Sequence, residues 1–151
     1  MVLDRFVRGG TGGANDGRRQ VDQRVPPIVE TMTRDWHSIA SAWIRQVREE
    51  EWWRDPELDL AGLSRRLGTN TAYLSRGLND GLGFGFAEAI NGLRVEHAAA
   101  QLRSARTGGV MAIALDAGFG SRATFHRVFK ERFGMTPSAY RYATDDERNA
   151  V

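Results

Sequence analysis

Two stretches of the chain gather small side chains, arginines and short hydrogen-bonding groups. The first holds Asn70, Thr71, Ala72, Ser75 and Arg76; the second holds Ser121, Arg122, Ala123, Thr124, Arg127 and Lys130. A guanidinium fork matches the paired acceptors on a guanine edge and the oxygens of a phosphate. Small residues at a helix start let its free N–H groups approach an anion closely. Neither outward set carries an acid before Glu131. A merely solvated face would mix in glutamates and lysines, so the pattern points to a polyanion, with double-stranded DNA the best fit. Charge agrees: Lys130 is the only lysine among 21 basic residues, and between positions 56 and 141 eleven Lys/Arg stand against seven Asp/Glu. The pI is near 9.5 although the net charge is only +2.

Other chemistries find no foothold. With no cysteine, disulfides, thiolate metal sites and thiol catalysis are excluded. No paired carboxylates, metal-ligand cluster or Ser-His-Asp set falls at useful spacing, so no cofactor, no metal and no enzymatic activity are expected. The glycine run from Gly9 to Gly17 follows no apolar strand and precedes no Lys-Ser/Thr pair, unlike a phosphate-binding loop. No apolar run approaches the roughly 18 residues that cross a membrane, and the N-terminus lacks the apolar core of a secretory signal. A cytoplasmic, nucleoid-associated place is the expectation.

Both reading stretches sit in the same device, used twice about 50 residues apart. In the first copy Leu60, Leu63 and Leu67 share a face of a short helix, Gly68 stops it, Asn70 caps the next helix, and Leu74 and Leu78 point into one core. In the second, Val110, Ile113, Ala114 and Ala117 form the inner face, and Ala114 and Ala117 are small enough for a close crossing. Gly118 ends that helix, Phe119 plugs the corner and Ser121 caps the next, whose buried stripe is Phe125, Phe129 and Phe133. That is helix, tight turn, helix. Between the copies, residues 86–104 form a central helix, with Phe86, Ile90, Leu93 and Ala100 near one stripe and Val95, Ala98 and Leu102 beside it. His97 reads as a packed or capping histidine. Such a rod fixes the separation of the two reading helices, and one turn of B-DNA, about 34 Å, would let both enter the same side of a duplex.

The expected fold is all-α: two helix-turn-helix subdomains joined by a long central helix, about seven helices, plus an extra N-terminal amphipathic helix. Residues 1–31 read as a Gly/Arg-containing disordered tail, 32–55 as the amphipathic helix, 56–142 as the DNA-binding domain and 143–151 as a C-terminal tail. Within the domain, 58–80 is the first helix-turn-helix, 86–104 the linker helix and 110–133 the second helix-turn-helix. In the N-terminal helix Trp36, Ala40, Trp43, Ile44 and Val47 line one stripe. That stripe either packs on the following domain or pairs with a second copy of the chain, as a homodimer, or with another protein. RNA polymerase is a further candidate partner.

The segment from Leu58 to Tyr142 resembles the DNA-binding domain of the AraC/XylS family of bacterial transcription regulators. The resemblance is carried by Ala117-Gly118-Phe119-Gly120-Ser121, Phe125, Arg127-Val128-Phe129-Lys130, Phe133-Gly134-Met135-Thr136-Pro137 and Tyr140-Arg141. Leu67-Gly68, Tyr73-Leu74-Ser75-Arg76, Gly83 and Leu93-Arg94-Val95 with Ala98 and Leu102 also fit it. It implies sequence-specific transcription regulation, with the second helix of each subdomain in the major groove. Arg76 and Arg127 would then meet base edges. Arg122 and Lys130, with the Asn70 and Ser121 caps, would meet phosphates, and Thr136-Pro137 would cap the last helix. Relatives that repair DNA by methyl transfer need a cysteine acceptor, which this chain lacks. Two departures stand out. Gly77 interrupts the first reading helix at a cost of about 1 kcal/mol against alanine, so that subdomain is expected to be the looser reader. Gly83-Phe84-Gly85-Phe86 is more flexible than usual. The roughly 55 residues before the domain are too few for the family's sensor barrel, so the chain is either a free-standing regulator or the end of a longer sensor protein.

Overall fold

A helix of seven residues does not persist alone in water, where even about 12–15 residues are marginal. Two helices of this chain are that short, so packing must hold them. The computed structural model describes residues 34–104 and 108–149, with side chains to position 143. The tail expected over 1–31 lies outside the described residues. Among the described residues there are seven α-helices and no strand: α1 (Trp36–Glu49), α2 (Leu60–Arg66), α3 (Thr71–Leu82), α4 (Phe86–Ser104), α5 (Val110–Asp116), α6 (Arg122–Phe133) and α7 (Pro137–Asn149). One 3-10 turn, Trp52–Arg54, joins α1 to α2. The all-α fold with two helix-turn-helix units about a central helix is as expected. The N-terminal helix, however, is one of the seven rather than an eighth, and α7 runs to Asn149, through residues expected to form the C-terminal tail.

Two cores share α4. Ala40, Val47, Trp53, Leu58, Leu63, Leu74, Leu78, Ile90 and Leu93 form the first. Val95, Ala98, Ala99, Leu102, Ile113, Ala114, Ala117, Phe119, Phe125 and Phe129 form the second. The central helix therefore changes core about halfway along its length of about 28 Å. This explains why no single stripe describes it, and why Ala100, placed on the inner face by periodicity, is exposed.

The tryptophan stripe of α1 has its partner within the chain. Trp36 and Trp43 meet the ring of Tyr73 edge-on, at centroid distances of 4.9 and 5.9 Å. Ala40 and Val47 are fully buried. The face that was to make a homodimer, or take another protein, is covered by α3 of the same chain. Gly77 makes this possible: a Cβ there would stand 2.5 Å from the Trp43 ring and 3.1 Å from Trp36. One turn on, a Cβ at Gly81 would stand 2.3 Å from the Trp36 carbonyl oxygen. The glycine that looked like a weakness is thus the groove in which α1 lies. Gly77→Ala gains about 1 kcal/mol of helix propensity but overpacks the groove by an amount worth about 1–3 kcal/mol. A net loss of stability is expected in urea denaturation. A stabilised variant would mean that Trp43 can swing aside freely.

Candidate nucleic-acid interface

Each reading helix is started by a side chain that satisfies one of its own free N–H groups. Asn70 Oδ1 accepts from the Tyr73 N–H at 2.9 Å, and Ser121 Oγ accepts from the Thr124 N–H at 3.0 Å. The Ser121 hydroxyl also donates to Thr124 Oγ1 at 3.0 Å. Such caps are worth about 1 kcal/mol each. They define where α3 and α6 begin, and so which residues stand on the first turn.

The outward faces follow from the inward ones. On α6, Phe125 and Phe129 are fully buried and Phe133 is partly so, with successive rings 5.7 and 4.7 Å apart. Tyr140 of α7 closes the stack against Phe129 and Phe133. This leaves Ser121, Arg122, Ala123, Arg127 and Lys130 exposed and Thr124 half-buried. On α3, burial of Leu74, Gly77 and Leu78 leaves Asn70, Thr71, Ala72 and Arg76 exposed and Ser75 half-buried. All eleven residues thus reach the surface, in two groups on two helices with separate cores. None is sealed against a neighbouring helix.

Two acids whose pairing the sequence reading passed over sit one turn behind the arginines. Arg76 Nε donates to Asp80 at 3.0 Å, and Arg127 Nη1 lies 3.4 Å from Glu131. The spacing of four signals both pairs. Exposed pairs of this kind contribute about 0–1 kcal/mol, so they orient the guanidiniums without holding them against a stronger partner. Arg76 also lies 5.6 Å over the Trp36 ring, which gives α1 a second role at this face.

A buried polar group fixes the central helix to the turn that follows α1. Arg94 of α4, only 9% exposed, donates from Nε to the Trp53 carbonyl at 2.7 Å and from Nη2 to the Asp55 carbonyl at 2.8 Å. Burial pushes its pKa down, and the Asp55 charge opposes that shift. Nearby, Asp116 receives Arg54 and His97. The hydrogen bond to His97, then those to Arg54, hold its carboxyl below the usual range. An arginine in the middle of the apolar run of α4 was the available signal for this network.

The description "helix-turn-helix domain" fits residues 63–143, more than half of the chain. The chain belongs to this AraC-type family of DNA-binding domains. An HTH-type transcriptional regulator of Staphylococcus aureus (strain MSSA476) is 38% identical over 85 residues, which are 56% of this chain and 11% of that protein. The transcriptional regulatory protein YesN of Bacillus subtilis is 32% identical over 106 residues, or 69% of this chain and 28% of that one. This AraC-type chain thus spans about a tenth to a quarter of the length of these relatives. Among solved structures, the C-terminal domain of AraT, a response regulator from Geobacillus stearothermophilus, superposes with a TM-score of 0.59 at 27% identity, covering 67% of this chain and 84% of that one. The C-terminal domain of the response regulator yesN from Fusobacterium nucleatum gives 0.59 at 28% identity, covering 68% and 97%. The AraC-type chain is therefore a transcription-regulator domain whose family binds DNA. No helix among its described residues is long and apolar enough to cross a membrane.

Proposed function

We propose that this domain reads a specific DNA sequence by inserting α3 and α6 into successive major-groove segments of one duplex. Arg76 and Arg127 read base edges, with guanine the preferred partner. Arg122 and Lys130, with the capped helix starts at Asn70 and Ser121, grip phosphates. Thr71, Ala72, Ser75, Ala123 and Thr124 are small enough to let the backbone approach the bases. One observation carries this reading: on α6 the phenylalanines turn inward while Arg122, Arg127 and Lys130 stay exposed, with the first acid, Glu131, at the far end. The pairs with Asp80 and Glu131 are weak enough to be exchanged for a base or a phosphate. An adaptor role through the tryptophan helix has no comparable support, because α3 already occupies that face.

Selection from random duplex DNA with the purified chain is expected to return one site of about two helical turns. Affinity should fall steeply as salt rises, because each phosphate contact releases counterions. Arg127→Ala is expected to cost about 1–3 kcal/mol of binding and to relax preference at one position. A variant as tight and as selective as the wild type would remove Arg127 from the reading set.

A further inference from the structure

We propose that Asp116 is a positioning residue for DNA reading: it locks the turn between α1 and α2 to the second helix-turn-helix unit and so sets the angle between α3 and α6. The inference rests on the DNA-reading proposal above.

Asp116 is the last residue of α5, where a negative charge opposes the helix dipole. Its partners offset that. Arg54 Nη2 donates to both carboxylate oxygens, at 3.0 and 2.9 Å, and Arg54 Nε reaches the Asp116 carbonyl at 3.4 Å. His97 Nε2 lies 3.1 Å from Oδ2. The three residues come from the 3-10 turn, α4 and α5, so one carboxylate ties a piece of the first unit to a piece of the second across the central helix. The His97 ring also packs at a tilt against Trp53, with 4.9 Å between ring centroids. A second tie runs from Arg48 of α1 to Glu96 of α4 at 3.6 Å, and from Glu96 to Arg132 of α6 at 2.7 Å.

Geometry gives these bonds their role. A central helix alone sets how far apart the two units lie, but apolar packing along it is not directional and resists rotation about its axis poorly. Hydrogen bonds are directional. On DNA each base pair adds about a tenth of a turn, so rotational freedom between the units becomes tolerance of a wrong spacing. Asp116 is half-exposed, its side chain at 53%, so its loss frees the rotation without opening a core.

The test uses the full chain and the site it selects, with one to three base pairs inserted between the two half-elements. The wild type is expected to lose about tenfold or more in affinity for one inserted pair. Asp116→Ala is expected to lose about threefold or less, with unchanged base preference inside each half. Arg54→Ala opens the same link from the other side and should give the same profile, with no further change in the double variant. Because the chain has no cysteine, spin labels at Ala42→Cys and Ala112→Cys, both exposed positions, report the angle between units directly. Their distance distribution should broaden in Asp116→Ala. An unchanged spacing profile overturns the proposal, with or without that broadening. If the wild type selects no DNA sequence, the DNA reading fails by itself, and a distance distribution that stays narrow in Asp116→Ala then overturns the lock separately.

Discussion

Phe129→Ala is expected to remove about 3–5 kcal/mol of stability, a large part of the roughly 5–15 kcal/mol typical of a whole domain. Phe129 is fully buried and touches Phe125, Phe133 and Tyr140 at once. Its ring is therefore the joint between α6 and α7 as well as part of the wall that α4 and α5 pack against. Truncation leaves a cavity that the neighbouring rings cannot fill without leaving their own places. The chain carries a convenient internal reporter. All four tryptophans lie between positions 36 and 53, so their fluorescence follows the first core, while circular dichroism follows every helix. In urea, the Phe129→Ala ellipticity midpoint should fall well below that of the wild type. If the two cores unfold independently, the fluorescence midpoint will lag behind it. A midpoint unchanged by both probes would mean that the phenylalanine stack does not support the reading helix.

The second large effect is expected at the turn before α6. Gly118 has φ of +94°, and a Cβ there would stand 2.6 Å from the Trp53 carbonyl oxygen and 2.9 Å from the Arg54 carbonyl. The Trp53 carbonyl is also the one that buried Arg94 holds at 2.7 Å. Gly118→Ala therefore combines a left-handed backbone, costing about 1–3 kcal/mol in a residue with a side chain, with a push on the junction itself. A total loss of about 3 kcal/mol or more is expected, together with weaker DNA binding because α5 and α6 are displaced. Gly134 separates the two causes. Its φ is +74°, but open space surrounds the position of its absent Cβ, so Gly134→Ala should show the backbone cost alone, about 1–2 kcal/mol. Equal melting temperatures for the two variants would show that the approach of Trp53 and Arg54 to the turn carries no weight.

Much of the domain was legible because its signals are local. Caps at Asn70 and Ser121, a glycine at the turn and phenylalanines four apart all act within one or two helical turns, and the helices begin and end where those signals stand. The same locality explains the misreadings. Gly77 counts as a defect when only its own helix is considered, and as a groove once Trp43 lies against it. Ala100 fits a stripe drawn along one helix face, yet α4 serves two cores that lie on different sides of it. The α1 stripe announces that it needs a partner without saying which.

From residues alone came the helical class, the duplicated device and the two outward sets of side chains, because periodicity and capping are written in neighbouring positions. Tertiary structure alone decided what covers α1, how Arg94 fixes the central helix to the turn after α1, and how Asp116 joins the units. These depend on approach between residues distant in the chain: 62 positions separate Arg54 from Asp116. No pattern of neighbouring residues encodes a distance of that kind.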